Sequence, residues 1–386
     1  MTGDRRLHLS GAAADRYARR QVATHEEILK ALGRVIDPEL RKPVTELGMV
    51  RDVQIDGGAV AVTIALTVVG CPLRSSFEDQ VQQHIAPLPG VVSVSLQFDV
   101  MSPDERAALT TKLRGGSEVR GIQLPATTRV LAVASGKGGV GKSTLTVNIA
   151  AALAARGHEV GVLDADIYGH SIPHMLGIGQ RPVVVDKMIV PPVAHDLKLM
   201  SIGFFLDDNQ PVMWRGPMLH RAFEQFLQDV HWGDLDVLVV DMPPGTGDAQ
   251  LTMAQATPLA GAVIVSTPQD LALIDARRGV AMFRRVEVPI LGVVENMATF
   301  VCPHCGIASH IFGHGGARKE AARLGVPFLG EVPLNMTIRE TSDAGRPVVA
   351  IDPNGPQARA YAEIAKAVWQ GLSGGTRRAA PRIVIE

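Results

Sequence analysis

Residues 136–143 read GKGGVGKS, two lysines set among glycines and closed by a serine, with the spacing G-x-x-x-x-G-K-[ST]. Glycines let successive backbone amides turn inward around phosphate oxygens, and a helix beginning there would add its positive end. Lys142 is placed to reach β- and γ-phosphates and Ser143 to ligate Mg²⁺. Gly136, Gly138, Gly139, Val140, Gly141 and Thr144 complete the candidate phosphate cradle. Lysine is scarce, nine against 29 arginines, yet two of the nine fall in this loop. Lys137 is poorly placed to back up Lys142 on the same phosphates but long enough to reach outward toward a nucleotide held by a facing copy. That reading expects a dimer with nucleotide between subunits; the plain alternative is a solvated surface lysine.

Two acidic strand ends belong to the same chemistry. VLDADIYGH carries Asp164 and Asp166, and VLVVDMPPGTGD carries Asp241 followed by Gly245 and Gly247. In parallel sheets ligands gather at the carboxyl ends of strands. Asp241 is therefore expected to hold the Mg²⁺ shell and Asp166 to orient an attacking water. A third strand, PILGVVEN, ends in Asn296, a candidate nucleotide contact. The residues after it, Met297, Ala298 and Thr299, offer neither the Lys nor the Asp that guanine would need, so ATP is favoured over GTP.

Cys302-Pro-His-Cys305-Gly follows that strand. The spacing allows both thiolates to bind one metal or cluster; zinc, iron–sulfur and dithiol redox uses all remain open. A [4Fe–4S] centre wants four thiolates, and a two-fold axis would supply the second pair from another copy. An in-chain zinc site from Cys302, Cys305, His310 and His314 is the competing solution. His304 suits a supporting or exposed role better than a ligand. The third cysteine, Cys71 in LTVVGCPL, fits a buried thiol as well as an auxiliary contact.

These groups need elements to hold them. From 129 onward short β-branched runs (RVLAVAS, EVGVLDAD, DVLVVD, GAVIVST, PILGVVEN) alternate with helical stretches, which implies βαβ crossovers and a mostly parallel, doubly wound α/β sheet. Residues 182–205 read as an inserted strand meander. A last helix would place Tyr361, Ile364, Ala365, Val368 and Leu372 on one face. Residues 24–102 form a smaller α/β unit. It opens on an apolar face of Ile28, Leu29, Leu32, Val35 and Ile36 and carries a hairpin at Gly57–Gly58. The expected organisation is an extension at 1–23, the small domain at 24–102, a linker at 103–126, a nucleotide-binding domain at 127–372 and a tail at 373–386.

The chain has 386 residues, 46% of them hydrophobic, 20% charged and 4% aromatic, with formal net charge −1. Such a balance gives no field to gather nucleic acid or anionic lipid, and no apolar run approaches the roughly 20 residues a bilayer-crossing helix needs. No nucleic acid partner and no stable membrane association are expected. Three cysteines make no disulfide framework, and the amino terminus carries Asp4 and Asp15 without the apolar segment of a secretory signal. The expected compartment is the cytoplasm.

Taken together, SGKGGVGKST, DADIYGHSIPHMLG, DMPPGTGD, ENM and CPHCG closely resemble the Mrp/ApbC family of P-loop ATPases, iron–sulfur cluster carriers related to MinD and the nitrogenase iron protein. DPEL at 37–40, TELGMV at 45–50 and TVVGCPL at 67–73 resemble a small metal–sulfur cluster biosynthesis domain. The resemblance implies an ATP-hydrolysing homodimer that bridges a labile [4Fe–4S] cluster through Cys302 and Cys305 of each subunit. It also implies transfer to apoproteins, with other cluster assembly proteins as partners, and makes Lys137 the signature lysine of a deviant Walker A loop. Two other classes compete: a MinD/ParA-like positioning ATPase, for which GGTRRAAPRIVIE offers only three arginines, and a reductase that keeps its cluster.

Overall fold

The computed structural model describes residues 23–38, 40–67, 74–113, 124–125, 127–167, 169–186, 188–206 and 216–374. The chain divides into two compact units, 1–119 with 184–188, and 120–183 with 189–386.

In the first unit, α1 (His25–Leu32) starts at Thr24, whose hydroxyl accepts the Glu27 N–H while the Glu27 carboxylate accepts the Thr24 N–H, a reciprocal cap. Ile28 and Leu32 are buried, but the helix stops at Gly33. The apolar face expected to run on to Ile36 is broken there: Val35 is buried from the following turn, and Leu29 and Ile36 are exposed. Strands β1 (Val50–Asp56) and β2 (Ala59–Leu66) pair antiparallel with Asp56 opposite Ala59. Gly57 and Gly58, at φ 53° and 94°, close the two-residue turn that this hairpin requires. The chain then passes through α2 (Arg74–Ile85), which buries Phe77, Val81 and Ile85, to β3 (Ser93–Val100), parallel to β2, and on to α3 (Pro103–Leu113). Cys71 lies outside the described residues.

The second unit is a nine-stranded sheet. From residue 129 the elements in chain order, with 184–188 counted in the first unit, are β4 (Arg129–Ser135), α4 (Lys142–Ala154), β5 (Val160–Asp164), α5 (Ile172–Met175), β6 (Val183–Val185), β7 (Met188–Val190), β8 (Val193–Ala194) and β9 (Leu197–Ser201). After a 3₁₀ turn (Ile202–Phe205) come α6 (Gly216–Gln228), β10 (Val237–Asp241), α7 (Asp248–Ala256), β11 (Leu259–Ser266), α8 (Asp270–Arg285) and β12 (Ile290–Val301). The chain continues with β13 (Ala308–Ser309), α9 (Gly316–Leu324), β14 (Phe328–Leu334), α10 (Met336–Asp343), α11 (Val348–Ile351) and α12 (Pro356–Gly374). Seven strands run parallel in the order β14-β12-β11-β4-β10-β5-β9, and β13 and β8 add antiparallel edges.

Every residue of β5, β9 and β10 is buried, as a sheet covered on both faces demands. The 182–205 insertion is the meander its sequence suggests. The two-stranded pair β6–β7 stands apart, and β9 joins the main sheet in parallel beside β5. All five residues expected on the core face of α12 are buried, and the helix packs on α4 and β14. No helix among the described residues is long and apolar enough to cross a membrane.

Candidate functional site

The loop between β4 and α4 is shaped by close backbone approaches. A Cβ on Gly136 would run into the backbone of Asp275 in α8, and one on Gly141, at φ +80°, would overlap the Asn296 amide. Only glycine lets this loop lie so tightly between strand and helix. Gly138, Gly139, Gly141, Lys142, Ser143 and Thr144 line a cavity of about 350 Å³ that also meets Asp166 and Met175. Lys137 sits at the loop's entrance, partly exposed, its carbonyl accepting the Ser135 hydroxyl at 2.9 Å.

The floor of this cavity is a buried knot of charge. Asp241, at the end of β10, is fully buried, and three groups converge on it at 2.6 Å: Lys142 Nζ and Ser143 Oγ on Oδ2, and Thr146 Oγ1 on Oδ1. Lys142 Nζ also lies 3.4 Å from Asp166 Oδ2. Register brings Asp164 directly opposite Asp241 across the β5–β10 pairing. Burial, reinforced by the Asp241 charge, pushes the Asp164 carboxyl up to about 8, against the opposing pull of Lys142 and of hydrogen bonds from Ser201 and the Asp166 amide. The site thus holds one lysine among three carboxyls, and burial favours the neutral form of Asp164. Ser143 Oγ, which lines the phosphate cavity, and Asp241 Oδ2, buried 2.6 Å behind it, are oxygen ligands that fit a hard divalent cation such as Mg²⁺.

Asn296 is placed differently from the expectation of a strand end. β12 continues through it to Val301, and its Nδ2 donates to the Val140 carbonyl at 2.8 Å, gripping the phosphate loop from the side. It also lines a second cavity of about 340 Å³, with Gly141, Thr144, Met297, Asn335, Arg339 and Tyr361 among its walls. The segment 333–343, which the sequence did not single out, thus walls a second cavity that shares Gly141 and Thr144 with the first. Its one legible signal was Pro333-Leu334-Asn335, a strand end followed by a capping residue whose side chain accepts the Thr337 N–H. Glu295 was missed as well. It is fully buried and accepts the amides of Gly315 (3.1 Å) and Ala317 (2.6 Å) at the start of α9. A carboxylate inside the apolar run VVEN was the available clue.

Cys302 and Cys305 stand on a tight turn just past β12, closed by Gly306 N–H to the Cys302 carbonyl (2.9 Å) and Cys302 N–H to the Ile307 carbonyl (3.0 Å). Cys305 is exposed and Cys302 half-buried. Backbone amides of Cys305 and His304 point at the Cys302 sulfur and, with the Cys305 side chain, hold its pKa below the ordinary thiol value. His310 and His314 do not complete an in-chain zinc site. Their rings meet at a tilt of 41° with centroids 4.2 Å apart, His310 Nδ1 lies 3.2 Å from the Ala298 carbonyl, and no cluster of three or more His, Cys, Asp or Glu among the described residues is arranged to hold a metal.

The comparisons decide the family. Residues 126–369 match the model of the NUBPL iron-transfer P-loop NTPases, and 25–96 match that of an iron–sulfur cluster assembly protein. The chain belongs to the NUBPL iron-transfer P-loop NTPase family. Among relatives, the iron–sulfur cluster carrier protein of Mycobacterium leprae is 48% identical over 360 residues, 91% of this chain and 93% of its own. The iron–sulfur cluster transfer protein NUBPL of Dictyostelium discoideum is 49% identical over 269 residues, 68% of this chain and 83% of its own. Among solved structures, a nucleotide-binding protein of Archaeoglobus fulgidus in complex with ADP is 39% identical with a TM-score of 0.53, covering 60% of this chain and 90% of that one. In this P-loop NTPase the phosphate loop and the acidic strand ends Asp164, Asp166 and Asp241 come together as one site. The cysteine pair lies at the far end of a strand that touches the site.

Proposed function

We propose that this chain is an ATP-dependent carrier of iron–sulfur clusters. It would act as a homodimer, hold a labile [4Fe–4S] cluster between Cys302 and Cys305 of both copies, and deliver it to apoproteins. The observation that carries this reading is the cysteine turn: two adjacent thiols, one exposed and one with a favoured thiolate, supply half of a four-thiolate set. The carrier and transfer proteins to which the chain is similar over most of its length support the cargo, and the ADP-bound relative supports the nucleotide. Other cluster assembly proteins would load the carrier.

The nucleotide chemistry follows from the charge knot. Lys142 pairs with Asp241 and Asp166; with ATP present it would leave them for oxygens of the β- and γ-phosphates. Ser143, and Asp241 through the ion's water shell, would hold Mg²⁺, which when bound neutralises charge on those oxygens. Asp166, at the cavity wall, would accept a hydrogen bond from the attacking water. Water adds at the γ-phosphorus as its bond to the bridging oxygen breaks, and ADP and phosphate leave. Lys137 would reach across to the nucleotide of the facing copy, tying turnover to the dimer.

Anaerobic reconstitution with iron and sulfide tests the carrier reading. Expected are about four iron and four sulfide per two chains, a dimer by light scattering, and loss of the cluster in Cys302→Ala or Cys305→Ala. A metal-loaded monomer, or unchanged iron content in either variant, would refute it.

A further inference from the structure

β12 touches both halves of the proposed function. At Asn296 its side chain donates to the Val140 carbonyl, and the glycine at 141 lies so close that a Cβ there would overlap the Asn296 amide. Met297, the next residue, takes φ +56° and its Cε reaches toward Gly141, and the pairing of β12 with β14 slips between Asn296 and Phe300. A bulge with a left-handed non-glycine residue is a local irregularity that regular pairing does not explain, and such features re-aim chain segments beside working sites. The strand then resumes, pairs with β13 at Phe300–Ser309 and Val301–Ala308, and delivers Cys302 six residues after Asn296. At about 3.3 Å per residue, phosphate loop and thiols are linked by roughly 20 Å of strand.

The preceding residue fastens the same strand to the far side of the cysteine turn, since Glu295 holds the amides of Gly315 and Ala317. A second path runs beside it. Gly136 packs on the Asp275 backbone of α8, and Gly316 lies so close to the Pro268 carbonyl, just before that helix, that a Cβ would meet it. Phosphate loop, β12, the 302–317 loop and α8 therefore form a closed ring of direct contacts in which the hydrogen bond between Asn296 and Val140 joins β12 to the phosphate loop.

We propose that Asn296 is a positioning residue that couples the two sites: its bond to the Val140 carbonyl transmits a nucleotide-driven shift of the phosphate loop through the 297–300 bulge to the Cys302–Cys305 turn. This rests on the carrier reading above. In this proposal the bulge is the element that shifts, and Met297, at φ +56°, is the place where a small displacement at Val140 is taken up by a rotation of the strand end.

The test uses the full chain, reconstituted anaerobically, with a ferrous chelator as cluster acceptor. The rate of cluster loss is measured with and without MgATP, and each protein's rate without nucleotide is its own baseline. For the parent chain the two rates should differ by about fivefold or more, a usual coupling. In Asn296→Ala, and in Asn296→Asp, which keeps the shape and removes the donor, the ratio should fall to near one. Hydrogen exchange of the amides at 297–307 should respond to MgATP in the parent and not in the variants, a readout that generalised loosening would not produce. A parent that responds alongside variants that respond equally overturns the coupling role alone. A parent that holds no cluster, or loses it at one rate regardless of MgATP, overturns the carrier reading and this proposal together.

Discussion

Lys142 pairs with Asp241 and Asp166, and removing it would leave both buried side chains without their cationic partner. Lys142→Ala should therefore abolish ATP turnover and also lower the stability of the chain measured without added nucleotide by about 3–5 kcal/mol, the usual cost of breaking a buried pair from one side; phosphate release and a denaturant melt measure the two effects. Anaerobically reconstituted iron content should survive the change, because the thiols lie on another element. At the cysteine turn, amide donors stabilise the Cys302 thiolate. A lowered thiol pKa means that the reactive form persists as pH falls. Alkylation of Cys302 by iodoacetamide, followed by mass spectrometry against pH, should therefore show a midpoint below that of a free cysteine; a midpoint at or above it would contradict the amide cage. From sequence, spacing alone identified Lys142, Ser143, Asp166 and Asp241 as one constellation. Their pairing with one another was hidden, because a motif gives spacing along the chain and not which side chains meet across the sheet.

At the scale of elements, the phosphate loop is legible because glycine runs have few structural uses, whereas the reason for each glycine is tertiary. Gly136 is required by a helix 139 residues further on in the chain, at Asp275, while Gly138 faces open space. Gly136→Ala should cost roughly 1–3 kcal/mol by forcing strand and helix apart, and Gly138→Ala should leave the melting temperature nearly unchanged; comparable losses in both would place the cause in the loop itself. The extent of β12 was the main surprise. The apolar run ends at Val294 and the polar pair Glu295–Asn296 looks like a strand end, yet pairing with β14 and β13 carries the strand to Val301. Cross-strand partners supplied by 308–309 and 328–334 decided this, and no local pattern announces them. Likewise Gly33 cut short a helical periodicity whose apolar residues continue to Val35 because a turn can bury a side chain as well as a helix can.

On the whole-molecule scale, alternation of buried runs with helical stretches was enough to specify a parallel sheet, and the carboxyl ends of β4, β5 and β10 converge as such sheets require. The order of strands, with β11 and β12 on one flank and the insertion's β9 on the other, came only with the fold. The molecule carries a net charge of only −1, so it does not draw in a triphosphate from a distance, and Lys142 in the cavity wall pairs with the chain's own acids. In the proposed reading, capture of ATP would then be an exchange of counter-ions rather than the making of a new pair: each contact the lysine gave to phosphate would leave an acid bare inside the protein unless a divalent cation arrived with the ligand to cover it. Titration calorimetry in EDTA should accordingly find far weaker ATP binding than in Mg²⁺, and an affinity indifferent to the metal would mean that the acids never lose their partner.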